Sequence, residues 1–433
     1  MVTVELDFKS LKAEEREALS GLLEHLLSGR LPDQRVEVDP EALDPEALGT
    51  PPDWRPIVRF LRTAPFHDIP GVVGAGLGYR VRGGQTTEEL AAVVLVKEKV
   101  PRRRLRAGAC LPQEVTFDGV SIPIDVQVGF DPVPRMMAGR TRRDRTARTT
   151  HNRSGGPLSV QDAREPCANG TLTGVFDGEC LTCAHVALGF GFQAFISNLP
   201  LSILWLFQSP RGAEMVSAAA QQVGQQLYRL FEVDSNLPVL VPFPSPLLAA
   251  GVLSLLYVDG AVGRQDPQPI PPFLRRPPGT VLGATQPYSY TASPLPLLPD
   301  RSTRWPGAIR SARLAWPGER VMKDGQTTGV TWGEVWLPFF QFYLPIPLGL
   351  VNGVVLFDNV LMRLDLAPGD SGSAILTDDS MHYLAMGNLG LPPGPSSFRA
   401  PAPTCPVEAD DINALTLATP YYLHELLLGV DLS

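Results

Sequence analysis

Ser371 stands in Leu366–Ile375, LAPGDSGSAI, between two glycines and directly after Asp370. Glycines allow a sharp turn and leave room for another chain to approach. Such a turn can aim two backbone N–H groups, those of Gly369 and Ser371, at one point in front of the serine hydroxyl. A carbonyl oxygen that becomes negative during acyl transfer suits that point. Gly, Asp and Ser are also ordinary turn residues, so the stretch by itself reads as a hairpin turn too. A serine hydroxyl is a useful nucleophile at neutral pH only beside a base, and the base needs a partner to orient it. His185, one of six histidines, lies in CLTCAHVAL, after a short β-prone run. A lone histidine is more often a satisfied core or surface residue, but these flanks argue for more. Asp259 ends the apolar run Leu253–Val258, a suitable place for a buried carboxylate. Standing before Gly260, it also reads as a turn residue.

Together these stretches resemble the chymotrypsin-like (trypsin-like) serine peptidases. Thr182, Ala184, His185 and Val186 match T-x-A-H-V, residues 369–373 match GDSGS, and Tyr257–Val262, YVDGAV, resembles the strand end that carries the aspartate. The chain order His185, Asp259, Ser371 is that superfamily's order. Gly318–Val335, GERVMKDGQTTGVTWGEV, matches a Thr-Thr-Gly hairpin pattern of the same group and holds no catalytic residue. The resemblance implies a mainly β fold, a double antiparallel β-barrel with the site in the cleft between barrels. It implies a catalytic set of His185, Asp259 and Ser371, and an oxyanion hole from the N–H groups of Gly369 and Ser371. Asn388, Leu389 and Gly390 would bind the substrate backbone. Asp365, six residues before Ser371, would sit at the bottom of the first specificity pocket and favour Lys or Arg; it reads otherwise as the surface end of a strand. In secreted relatives the aspartate at 370 pairs with a new amino terminus. No activation sequence is evident near Cys167, so local backbone hydrogen bonds are expected for it here. The implied function is a serine endopeptidase. Two alternatives stay open: a peptide-binding protein on an inactive peptidase scaffold, and an esterase-type acyl hydrolase.

These side chains must be positioned by a chain of 433 residues, enough for two or three domains. Hydrophobic content of 44% with 19% charged residues excludes a disordered chain. A net charge of −8 argues against nucleic acid as a general partner. The 44 prolines speak for loops and edge strands and against a helical bundle. Five scattered cysteines are no disulfide framework. The amino terminus has no apolar signal segment. Cysteine usage and that terminus together point to a cytoplasmic protein. Cys180 and Cys183 form C-x-x-C without a second pair, so neither zinc nor a redox dithiol is expected. His424-Glu425 opens like H-E-x-x-H, but residue 428 is Leu. No metal or cofactor is expected, and the partner is a protein or peptide substrate.

Residues 9–29 carry leucines on one face and predict a helix. Residues 31–56, rich in Pro, Asp and Glu, read as a tether, so 1–56 is an N-terminal helix with its tether. Residues 57–132 read as a small α/β domain. A Gly-rich strand reaches a Gly-Gly turn at 83–84, Thr86–Leu90 signals a short helical turn, and a buried strand follows with a further strand pair. GAGLG does not fit a dinucleotide site. This unit resembles the domain ahead of the peptidase domain in a group of bacterial and plant trypsin-like proteins. The shared features are GG-x-T, VVLV-x-x-K-V-P and the closing IDVQVG. The resemblance implies either a prodomain or an adaptor, with a regulatory part to play. Residues 133–165 form an arginine-rich linker, read first as a solvated segment. If Asp365 lines the pocket, the linker becomes a self-cleavage site. The peptidase region spans 166–433 with an insertion over 188–250. Phe195–Phe207 is too short and interrupted to span a bilayer, so no transmembrane segment is expected. Residues 214–231 predict a helix with Val216, Ala219, Val223, Leu227, Leu230 and Phe231 along one stripe.

Overall fold

The computed structural model describes residues 38–105, 110–129, 159–163, 169–176, 178–188, 210–217, 229–234, 240–243, 245, 247, 252–264, 311–325, 329–344, 353–366, 369–380, 382–391 and 415–432. The expected helix over 9–29, the arginine run of the linker and the apolar run 195–207 lie outside them.

Gly83 and Gly84 set the first hairpin. Both take positive φ, +59° and +82°, as a two-residue loop requires if its twist is to match its strands. β1 (Val72–Arg82) therefore turns straight into β2 (Gln85–Val96), with Arg82 opposite Gln85 and Val81 opposite Thr86. The helical turn expected at Thr86–Leu90 is strand instead. The loop spends no residues between the glycines and the ladder. Cross-strand bonds then hold the segment extended: Thr87 Oγ1 donates to the Arg80 carbonyl at 2.9 Å, and Arg80 pairs with Glu89 at 3.1 Å. β3 (Glu114–Phe117) and β4 (Val120–Val128) complete this layer, β4 running parallel to β2.

Helix α1 (Arg55–Thr63) packs on that layer with Ile57, Val58, Phe60 and Leu61 buried. Spacing of i, i+1, i+3 and i+4 gives it one apolar face. Residues 38–54, the described part of the expected tether, form turns that bury Leu43 and Trp54 in the same core. A free tether would leave both in water.

β1 also pairs antiparallel with β15 (Gly329–Leu344), with Gly74 opposite Phe342, so the N-terminal strands join a twelve-stranded sheet. Within that sheet β15, β14 (Arg320–Gly325), β17 (Ser373–Thr377), β18 (Tyr383–Leu391), β19 (Leu415–Pro420) and β16 (Gly353–Arg363) follow one another. An added β15–β16 pairing closes the ring. The result is a six-stranded barrel with every pairing antiparallel. Closure removes the open edges a flat sheet would leave. β14 and β15, the strands on either side of the Thr-Thr-Gly stretch, pair from Arg320 opposite Glu334 to Gly325 opposite Gly329.

Two smaller sheets lie beside the barrel. One is β13 (Ala261–Arg264), β8 (Glu179–Thr182) and β7 (Gly174–Phe176). The other is β10 (Arg229–Glu232), β9 (Glu214–Ser217), β5 (Ser159–Asp162) and β6 (Asn169–Thr171). β9 and β10 are the two ends of the segment read as a helix over 214–231, and they pair as antiparallel strands. Pairing with β5 and burial of Met215, Leu230 and Phe231 outweigh the local helical spacing. β12 (Val252–Tyr257), fully buried, runs parallel to β16. Among the described residues no helix is long and apolar enough to cross a membrane. Cys110, Cys180 and Cys183 form no disulfide.

Candidate active site

β8 and β13 pair with Ala261 opposite Thr182. Asp259 lies two residues before Ala261 and His185 three after Thr182, so the register brings both to one end of this sheet. His185 sits in the one-turn helix α2 (Ala184–Ala187). Asp259 holds it at three points. The backbone N–H of His185 donates to Asp259 Oδ1 at 3.0 Å, His185 Nδ1 lies 2.7 Å from Asp259 Oδ2, and the Ala184 N–H donates to the Asp259 carbonyl at 3.2 Å. Nδ1 therefore carries the proton, because its neighbour is a carboxylate. Nε2 is left as the basic nitrogen. Asp259 is fully buried, and its φ is +37°, an unusual conformation for a residue with a side chain. The His185 side chain keeps 17% of its surface exposed.

Ser371 comes from the loop between β16 and β17. Thr171 anchors that loop, its N–H donating to the Ser371 carbonyl at 2.7 Å and its Oγ1 to the Gly369 carbonyl at 2.8 Å. Thr173 Oγ1 donates to the Gly372 carbonyl at 2.6 Å. Gly372 has φ +95°, and a Cβ there would stand 2.1 Å from the Thr171 carbonyl and 2.8 Å from Thr182 Oγ1. Gly170 fills the gap between the serine loop and α2. A Cβ on it would lie 2.9 Å from the Ser371 carbonyl and 2.5 Å from Val186, the residue after His185. The serine loop is thus packed against the strand and helix that deliver the histidine. The Ser371 hydroxyl donates to the carbonyl of Asn388 at 3.3 Å and makes no hydrogen bond to His185 among the described residues. The N–H groups of Gly369 and Ser371 also have no acceptor among the described residues.

Asn388 is buried in β18, its side chain bonded to the Thr419 hydroxyl. The β17–β18 ladder ends at Gly387, while β18 pairs with β19 as far as Leu391. Along Asn388, Leu389 and Gly390 one side of β18 is therefore without a strand neighbour among the described residues. Asp365 is half-buried just after β16, its carbonyl accepting from Thr331 Oγ1 at 3.4 Å. Among the described residues no cation pairs with its carboxylate.

Asp370 departs from the expectation of purely local backbone bonds. Its Oδ2 takes a hydrogen bond from Lys323 Nζ, on β14, at 3.0 Å, with both side chains fully buried. A carboxylate this deep needs a charge partner, which backbone donors of one turn do not supply. The Thr-Thr-Gly hairpin thus provides the cation behind the serine loop. The signal in the sequence was a lysine inside a strand otherwise apolar on its inner face. Tyr257 and Cys183 also reach the His185–Asp259 pair, by contacts that no local spacing in the sequence signals. The Tyr257 hydroxyl donates to Asp259 Oδ2 at 2.8 Å. The Cys183 thiol lies with His185 and Asp259 in a group whose ligand atoms fall within 4.8 Å of one another. Burial, and after it the Asp259 charge, push that thiol well above its ordinary value.

No family model and no curated protein matches the chain. Solved structures similar to it include a chymotrypsin from Cellulomonas bogoriensis, at 13% identity and TM-score 0.33, covering 65% of this chain and 98% of that one. Protease A of Thermobifida fusca aligns at 12% identity and TM-score 0.33, over 64% and 97% of the two chains. A Nocardiopsis protease does so at 12% and 0.31, over 64% and 96%. Likeness at this level transfers no residue's role.

Proposed function

We propose that the protein is a serine endopeptidase in which Ser371 is the nucleophile, His185 the general base and Asp259 the group that orients it. One observation carries the reading. A fully buried carboxylate grips His185 Nδ1 at 2.7 Å and its backbone N–H at 3.0 Å, beside the loop that presents Ser371. That leaves Nε2 as the proton acceptor. On substrate binding the Ser371 hydroxyl turns from the Asn388 carbonyl to Nε2 and attacks the peptide carbonyl as Nε2 takes its proton. The Gly369 and Ser371 N–H groups receive the developing oxyanion, each worth about 3 kcal/mol in such sites. His185 then protonates the leaving amine, and water releases the acyl group by the same route in reverse.

An extended peptide adds along Asn388, Leu389 and Gly390, where β18 has backbone groups to offer. Asp365 makes Lys and Arg the favoured side chains before the scissile bond. The arginine-rich linker is then within the enzyme's own specificity, and cleavage there would be a means of regulation by the N-terminal unit.

A fluorophosphonate probe tests the nucleophile: it labels the folded chain and fails on Ser371→Ala. Profiling cleaved peptides against the same variant separates a peptidase from an esterase. A well-folded wild type that takes no label sinks the reading and leaves a peptide-binding protein.

A further inference from the structure

Asp259 has no exposed surface, and a carboxylate in such a place is costly unless its lone pairs are used. His185 spends two donors on it, one on each oxygen. A third comes from Tyr257, two residues earlier at the end of β12, whose hydroxyl reaches Oδ2 at 2.8 Å. The phenol and the imidazole therefore share one oxygen. Burial and the Asp259 charge raise the Tyr257 phenol well above its ordinary value, so it stays a donor throughout the working pH range.

We propose that Tyr257 is a positioning residue for the His185–Asp259 pair. Its hydroxyl fixes the carboxylate so that Oδ2 faces Nδ1, and it draws off charge that His185 would otherwise receive alone. The proposal rests on the peptidase reading above. The other titratable groups facing the pair are Cys183, between β8 and α2, kept protonated by burial, and His424 from the C-terminal helical turn behind Gly260, kept neutral by burial. Neither changes state near neutral pH, so the phenol is the group there whose removal the pair would register.

Two effects follow from losing that hydroxyl. The carboxylate regains freedom to rotate, which slows transfer of the serine proton to the base. The charge on Oδ2 also falls more fully on the imidazole, which stabilises its protonated form and favours protonation at higher pH. Tyr257→Phe separates these effects from packing, because the ring itself is buried and is retained.

The test compares the full-length wild type with Tyr257→Phe. The expected result is kcat lower by about tenfold with KM unchanged, and an acid limb of the kcat profile moved to higher pH. A second readout needs no turnover. In the Ser371→Ala background, the low-field proton resonance of His185 Nδ1–H is expected to shift on Tyr257→Phe. Unchanged kcat, acid limb and resonance would overturn the proposal. So would a fall in kcat with the limb and resonance both unmoved, which is the mark of packing alone. Should the wild type carry no probe-reactive serine, the peptidase reading fails by itself, and the resonance still decides whether Tyr257 governs the pair.

Discussion

Lys323 Nζ lies 3.0 Å from Asp370 Oδ2, with neither side chain reaching solvent. The pair ties β14 to the residue immediately before Ser371. It anchors the serine loop from inside the barrel with a cation that the chain carries internally. Gly325, two residues after Lys323, keeps the space open: a Cβ there would stand 2.2 Å from Asp370 Oδ1.

Lys323→Met leaves the Asp370 carboxylate buried without its cation. The expected cost is about 3–5 kcal/mol of unfolding free energy, with most of the probe labelling at Ser371 lost as the loop relaxes. Lys323→Met combined with Asp370→Leu is expected to recover much of the stability and little of the labelling. Urea unfolding and fluorophosphonate labelling measure the two separately. A single variant as stable as the wild type would show that the pair anchors nothing.

Gly170→Ala is expected to act on the site without touching a reacting group. The new methyl meets Val186 at 2.5 Å and the Ser371 carbonyl at 2.9 Å, so α2 and the serine loop must separate. Overpacking of this kind costs about 1–3 kcal/mol. Labelling of Ser371 should slow more than stability falls. Equal labelling rates in variant and wild type would contradict the packing described here.

His424 gives the fold an acid sensitivity of its own. Burial lowers its pKa from 6.5 to about 4. Between those values the unfolded chain binds the proton and the folded one does not, so stability rises with pH in that window. The contribution is complete above 6.5 and is lost as pH falls through the folded value. From pH 7 to pH 5 this group alone removes about 2 kcal/mol. Urea midpoints for wild type and His424→Gln at the two pH values check it; the variant should show the smaller difference.

His185, Asp259 and Ser371 stand out as candidates because each sits at a punctuated strand boundary: Thr-x-Ala before the histidine, an apolar strand before the aspartate, paired glycines about the serine. Such signals are local. Lys323, Tyr257 and Cys183 act only through contacts that register creates, and a single sequence does not give register. The same limit explains the strands at 214–217 and 229–232. Their apolar residues do repeat at helical spacing, but β5 lies alongside and decides the outcome. At Thr86–Leu90 the capping signal was real in composition and lost to the hairpin loop before it.

Arg62 was equally invisible to local reading. It lies in the last turn of α1 and forks onto Asp358 of β16, Nε to Oδ1 at 3.0 Å and Nη2 to Oδ2, while Nη1 donates to the Leu43 carbonyl at 2.5 Å. Arg62→Ala leaves Asp358, which is fully buried, without that cation. The expected loss is about 3–5 kcal/mol by chemical denaturation, and a change under 1 kcal/mol would contradict it.

The β1–β15 ladder and the Arg62 fork bear on what a cut in the arginine-rich segment would accomplish. Such a cut removes one covalent link and none of these contacts. The fragments would run as two bands on a denaturing gel yet leave a sizing column together. Parting them would strip β15 of a hydrogen-bonded neighbour and uncover the apolar wall under α1. A chain expressed without its first 130 residues is therefore a poor stand-in for a processed one.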